Sequence, residues 1–271
     1  MILRESDFAF NIERFTGFAE LYDTYRPHPP SILLDLLSNL AGMPNPNVVV
    51  DLGCGTGLSS RFWSSRARQV IGIEPTEDMR YQAEAHTTST NVSYRSGFSH
   101  QTGLPSNFAD VVTCSQSLHW MDPQPTFTEV ARILRRGGVF AAYDYDLPPT
   151  TSSWEADAAY ESFIERVTEL EAVHDVSFGL KRWTKNEHLK RMKASACFRF
   201  VKEVVVHHIE EGNAERFVGL TRSQGNVATL LKKGLSEQDL GLNEFQGIAS
   251  EKLGKIRKPW YFSSRIRVGI V

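Results

Sequence analysis

A chain of 271 residues carrying 30 Lys and Arg against 32 Asp and Glu has a net charge of −2, and 41% of it is apolar. That balance suits one α/β domain with an insertion, and it argues against a nucleic-acid binder, which shows a basic patch or a high pI. Three dispersed cysteines, Cys54, Cys114 and Cys197, form no CxxC pair, so neither a metal site nor a disulfide framework is expected.

The opening stretch "MILRESDFAF" has acidic residues within its first seven positions and no apolar core, so no signal peptide is expected. No apolar run reaches the roughly 20 residues that span a bilayer. A cytoplasmic, reducing setting without membrane or nucleic-acid partners is the expectation, as a monomer or homodimer. "NVVVDL" (47–52) is β-branched and bounded by turn residues, which reads as a buried parallel strand. A helix over 58–66 and a strand "QVIGIE" (69–74) follow. Thr76 opens a helix over 76–85 with Glu77 and Asp78 in its first turn. Strands are predicted at 92–96 and 109–115, then a helix over 124–136 that stops at Gly137–Gly138. A strand over 139–145 completes the alternation. The pattern is that of a Rossmann-like, doubly wound α/β fold with a mostly parallel sheet.

Beyond residue 150 the alternation breaks. Residues 152–195 read as helical, then "CFRFVKEVVVHHI" (197–209) as a strand, a helical region to about 253, and "WYFSSRIRVGI" (260–270) as a last strand. The last two strands suggest an antiparallel edge pair. The expected organisation is a single domain over 1–271: a core of about 31–150 and 197–271, an N-terminal segment 1–30 over a bound cofactor, and a helical cap of about 151–196.

The turn "DLGCGTG" places glycines at 53, 55 and 57 directly after the first strand. A dinucleotide fingerprint starting at Gly53 needs glycine at 58, where Leu58 stands, and a P-loop needs a lysine that this turn lacks. Glycines let backbone N–H groups approach a ligand closely. Asp51 repels a pyrophosphate and attracts an α-amino or sulfonium group. Glu74, at the carboxyl end of the second strand, stands where this fold accepts hydrogen bonds from ribose hydroxyls. A ribose and a cationic amino-acid portion without a pyrophosphate describe S-adenosyl-L-methionine.

On the stretches "YDTYRPHPP" (22–30), "VVVDLGCGTG" (48–57), "VIGIEPTEDM" (70–79), "GLPSNFADVVTCSQSLHW" (103–120) and "EVARILRRGGVF" (129–140), the chain resembles class I S-adenosylmethionine-dependent methyltransferases. It is similar above all to the small-molecule branch that includes trans-aconitate and ubiquinone/menaquinone methyltransferases. The resemblance implies a seven-stranded sheet with an antiparallel C-terminal edge strand. It also implies that Asp51, Gly53 and Gly55 line the methionine portion, Glu74 holds the ribose, and Thr76 and Met79 flank the adenine. Tyr22 and Arg26 would close over the methionine end, Tyr22 also touching substrate. Many members carry a G-x-A-E stretch after the third strand; here it reads Gly97-Phe98-Ser99-His100, leaving a backbone contact from Ser99 and a stack from Phe98 without the acid.

"SQSLHW" follows the fourth strand, where such a sheet faces its ligand. Ser115 and Gln116 are expected beside the transferable methyl. His119 and Trp120 read either as packed loop residues or as substrate contacts, with His119 as the candidate base. In the C-terminal half, Trp183 and Arg222 are the candidate substrate contacts, while the lysines and arginines around Trp183 read mostly as a solvated face. A small-molecule acceptor is favoured. O-methylation of a carboxylic acid needs no base, because a carboxyl with a pKa near 4 is already ionised at neutral pH. The alternatives are a phenol or quinol oxygen or ring carbon, with His119 as base, or a cofactor-binding protein that does not methylate.

Overall fold

The computed structural model describes residues 8–15 and 19–271. The part of the expected N-terminal cover that falls on residues 1–7 and 16–18 lies outside the described residues. Three helices lead into the sheet: α1 (Ala9–Phe15), α2 (Ala19–Tyr25) and α3 (Ile32–Leu40). Then β1 (Val48–Leu52), β2 (Gln69–Ile73), β3 (Val92–Arg95), β4 (Ala109–Ser115) and β5 (Leu134–Tyr145) alternate with helices α4 (Leu58–Trp63), α5 (Glu77–Ala85) and α6 (Pro123–Ile133). β1, β2 and β4 are buried with almost no alternation, as strands covered on both faces are: Val49, Val50 and Leu52 of β1 are fully buried.

After β5 come α7 (Trp154–Val173), α8 (His188–Ala194), β6 (Phe200–Gly212), α9 (Ala214–Arg222), α10 (Gly225–Lys232), α11 (Glu237–Leu240), α12 (Leu242–Leu253) and β7 (Lys258–Ile270). The seven strands lie in the order β3-β2-β1-β4-β5-β7-β6, with β7 antiparallel to both its neighbours. This is the Rossmann-like sheet with the antiparallel C-terminal strand read from the sequence. The order reverses between β1 and β4, and such a switch point opens a crevice at the carboxyl ends of the strands.

Several boundaries differ from the sequence reading, most of all at the junction of α6 and β5. The helix over 124–136 stops at Ile133, not at the glycine pair. Leu134 turns extended at φ −71° and ψ 138° and pairs with Ala109. Arg135 then pairs with Asp110 and donates to Ala41 O at 2.8 Å. Gly137, at φ 77°, sits inside β5 beside a register shift and donates its N–H to Val271 O at 2.9 Å.

The helices after β5 also divide rather than forming one cap over 151–196. α7 joins α9, α10 and α12 in a second core built on Tyr160, Phe163, Phe217, Phe245 and Trp260. α8 packs on the sheet instead, its Met192 buried with the β4 and β5 side chains. Between them, residues 174–184 are largely non-helical. Helical composition alone does not say which core a helix will cover. Among the described residues no helix is long and apolar enough to cross a membrane.

Candidate active site

The glycine turn is tied to the neighbouring strand: Ile73 O accepts from Gly53 N at 2.8 Å and from Cys54 N at 3.2 Å. Gly53 has φ 63°, and a Cβ there would come within 2.7 Å of Met121 Cε and 2.8 Å of Ser117 Cβ. Gly55, at φ 55°, has nothing within 4 Å of where a Cβ would stand, so the turn faces open space. Cys54 is filler: its Sγ crowds Gly72, and burial pushes its thiol pKa up.

Glu74 joins two loops. One carboxylate oxygen accepts from Gly55 N at 3.0 Å and the other from Thr76 N at 2.9 Å. Burial raises its pKa, against the pull of those N–H donors. Asp51 is placed differently from the sequence reading. It is fully buried behind the turn, accepting from Ser60 Oγ at 2.7 Å and Thr113 Oγ1 at 2.9 Å, and does not line the cavity. Burial lifts its pKa to about 6. The Thr113 hydroxyl arrives from β4 and the Ser60 hydroxyl from α4, so both claim the carboxylate on β1. Asp51 therefore supports the turn from within.

A cavity of about 850 Å³, mouth included, opens on this turn. Of the cofactor residues expected from sequence, Tyr22, Gly53, Gly55, Glu74, Thr76, Met79, Phe98, Ser99, Ser115 and Gln116 all line it, and Trp120 does as well. Phe8, Asn11 and Ile12 of the α1 segment complete the wall, with Phe8 stacked on His100 at 5.9 Å. Sequence reasoning missed those three because an amphipathic N-terminal turn carries no mark of what it covers. The donor set fits S-adenosylmethionine: an open glycine turn, a carboxylate at the ribose position and an aromatic, apolar end.

Beyond Tyr22 the surroundings are polar. Arg26 stacks over the Tyr22 ring at 4.6 Å and donates to Tyr145 Oη at 2.8 Å and Ser223 O at 2.7 Å. Its Nε is sealed from solvent with no hydrogen-bond partner. Among the described residues, no carboxylate neutralises this guanidinium. Arg26 thus lies behind Tyr22 rather than in the wall of this cavity, half-buried and lining a separate depression with His28 and Glu210, where its charge is left open to an anionic partner.

Lys185, taken from sequence as a surface charge, reaches inward to Gln116 Oε1 at 2.5 Å and Asp144 Oδ1 at 3.0 Å. Half-buried and reaching inward, it carries no sequence signal that separates it from Lys181. His119 is buried just behind the wall, its Nδ1 without a partner, and burial with nearby Lys185 and Arg182 holds its pKa well below 6.5. It is therefore neutral at pH 7. The structure does not bring Trp183 or Arg222 to the cavity. Trp183 contributes its backbone N–H to His119 O at 2.8 Å, and Arg222 pairs with Glu237 at 2.7 Å over a separate depression. Both residue types suit substrate contacts, but the division of the helices after β5 turns them elsewhere.

This fold, with this turn and acid, is similar to that of class I S-adenosylmethionine-dependent methyltransferase domains. The chain matches the family described as "Methyltransferase domain" over residues 50–142. It is 28% identical over 148 residues to CRG1 of Saccharomyces cerevisiae, named for S-adenosylmethionine-dependent methyl transfer, covering 52% of this chain and 50% of that protein. It is 27% identical over 216 residues to the 27-O-demethylrifamycin SV methyltransferase of Amycolatopsis mediterranei, covering 70% and 76%. The chain spans about half the length of the first curated relatives it matches. A solved structure from Anaeromyxobacter dehalogenans, described as a type II methyltransferase, shares the fold with a TM-score of 0.65 at 24% identity, covering 91% of this chain and 98% of that one.

Proposed function

We propose that the chain transfers the methyl group of S-adenosylmethionine to a small carboxylic acid, forming an ester at the carboxylate oxygen. The observation that carries this reading is the Arg26 guanidinium, bonded only to neutral oxygens and short of one partner at Nε. An arginine fork matches a carboxylate two-pronged. The Amycolatopsis relative, whose name carries a small-molecule acceptor, supports that size class.

When bound, the cofactor supplies a methyl already activated on a sulfonium, and transfer is an in-line displacement. The rest is the work of this chain's side chains and backbone. Gly53 and Gly55 leave room for the methionine end, Glu74 accepts from the ribose, and Phe98 and Met79 bound the adenine end. Tyr22 and Arg26 orient the acceptor carboxylate beside Ser115 and Gln116. Positioning of this kind supplies roughly 7–11 kcal/mol of a barrier. A carboxylate needs no base, so a neutral His119 need take no proton.

One observation favours a second reading. His119 is neutral with a free Nδ1, which suits a base for a phenol or quinol acceptor. Radiolabelled methyl transfer across carboxylic acids, phenols and quinols, with wild type beside His119→Ala, separates the two. Transfer to acids that survives the substitution supports esterification. Transfer confined to phenols or quinols and lost with His119 replaces it with the second reading. Cofactor binding without transfer to any acceptor class leaves a protein of this fold that does not methylate.

A further inference from the structure

We propose that Lys185 is a positioning residue that acts through Gln116 to hold the wall of the cofactor cavity; the proposal rests on the methyltransferase reading above. Gln116 follows β4 directly, lines the cavity, and has φ 53°. A residue with a Cβ adopts that left-handed conformation at a cost, and such residues gather at functional sites where their surroundings hold them in place.

Three hydrogen bonds hold it. The Gln116 backbone N–H donates to Tyr143 O at 2.9 Å and its side-chain Nε2 donates to Tyr145 O at 3.3 Å. Both come from β5, the immediate neighbour of β4. The third and shortest arrives from far along the chain, where Lys185 Nζ donates to Gln116 Oε1 at 2.5 Å.

Lys185 is itself anchored. Asp144 Oδ1 accepts from it at 3.0 Å, Asp144 Oδ2 accepts from Arg267 at 2.7 Å, and Arg267 Nε donates to Glu203 at 2.8 Å. The ladder of charges runs from the cavity wall across β5, β7 and β6. The run leading to Lys185 is fastened at alternate residues. The Asn11 side chain bonds Lys181 N at 3.0 Å and Lys181 O at 2.8 Å, and Trp183 N donates to His119 O at 2.8 Å. Of these fastenings, the Lys185 side chain is the one that grips the left-handed wall residue. Without it, the Gln116 amide keeps half its partners and the backbone is free to relax towards the right-handed region, shifting the wall. Asp144 keeps Arg267, so the ladder survives the loss of Lys185.

The test is calorimetric binding of S-adenosylhomocysteine, which needs no acceptor, to wild type, Lys185→Met, Gln116→Gly and the double variant. Lys185→Met is expected to bind about tenfold more weakly than wild type, whereas in the Gln116→Gly background, where glycine holds a positive φ unaided, the same lysine substitution is expected to change affinity by less than about twofold. The double variant is expected to match Gln116→Gly. Thermal unfolding read in parallel shows any general loss of stability, which a glycine at 116 would not restore. If Lys185→Met fails to fold, Lys185→Gln takes its place with the same expectations. Wild-type affinity in the lysine variant overturns the proposal, as does a double variant about tenfold weaker than Gln116→Gly. A wild type that binds no S-adenosylhomocysteine overturns the methyltransferase reading itself, and the proposal with it.

Discussion

The cofactor side of the cavity and its acceptor side are built from different materials. On the first, Gly53, Gly55 and Glu74 lie within the one β1–α4–β2 unit, and much of what they offer is backbone held by Ile73 O and by the Glu74 carboxylate. On the second, Tyr22 and Arg26 meet Tyr145 and Ser223 from distant segments, largely through side chains. The first side is fixed by spacing and tolerates little change in shape. The second is fixed by charge and burial, so its failures should appear in the acceptor rather than in the cofactor.

The largest effect should come from the turn. Gly53→Ala adds left-handed strain and forces a Cβ onto Met121 and Ser117; together these cost about 3 kcal/mol, so S-adenosylhomocysteine affinity should fall about 100-fold. An affinity within a few-fold of wild type would show that the turn does not meet the ligand.

Asp51 sharpens the same side through pH. Its folded pKa of about 6 lies above the unfolded value near 4, so the native state binds the proton more tightly. Its contribution to stability is therefore largest below pH 4 and falls by up to about 3 kcal/mol as pH rises through 6. Urea unfolding of Asp51→Asn should lack that component of the slope. His119 works in the opposite direction, because its folded pKa is depressed: its contribution is present above about pH 6.5 and is lost as pH falls.

On the acceptor side, Arg26→Met should lower kcat/KM for a carboxylic acid by roughly 30- to 100-fold, the worth of charged hydrogen bonds, with S-adenosylhomocysteine affinity changed by less than about threefold. Equal losses in both would dissolve the distinction between the two sides. Glu74→Gln should weaken S-adenosylhomocysteine about tenfold, because one oxygen can still accept while the amide nitrogen faces an N–H donor. The smallest effect is His119→Ala, which should lower transfer to a carboxylic acid by less than about threefold, since a carboxylate needs no base.

How far the sequence could be read follows the same division. The alternation of strands and helices, the antiparallel last strand and the glycine–acid pair were all legible, because hydrophobic period and glycine spacing are local signals. The end of α6 was not, because the pull of Ala109 and Asp110 on Leu134 and Arg135 is tertiary and overrode a glycine stop. Asp51 was read as facing the ligand because nothing local reveals that Ser60 and Thr113 converge on it. Lys185 looked like a surface charge and Arg222 like a substrate contact, yet Lys185 reaches Gln116 and Asp144 while Arg222 pairs with Glu237. Side chains that meet across 69 positions of chain leave no spacing to find.

The account turns on the claim that the uncompensated Arg26 receives an acceptor carboxylate. The most direct test is calorimetric titration of the protein loaded with S-adenosylhomocysteine, using a carboxylic acid that it methylates and the methyl ester of that acid. The acid should bind at least about tenfold more tightly than its ester, and Arg26→Met should erase the difference. Equal binding of acid and ester by the wild-type protein would contradict it.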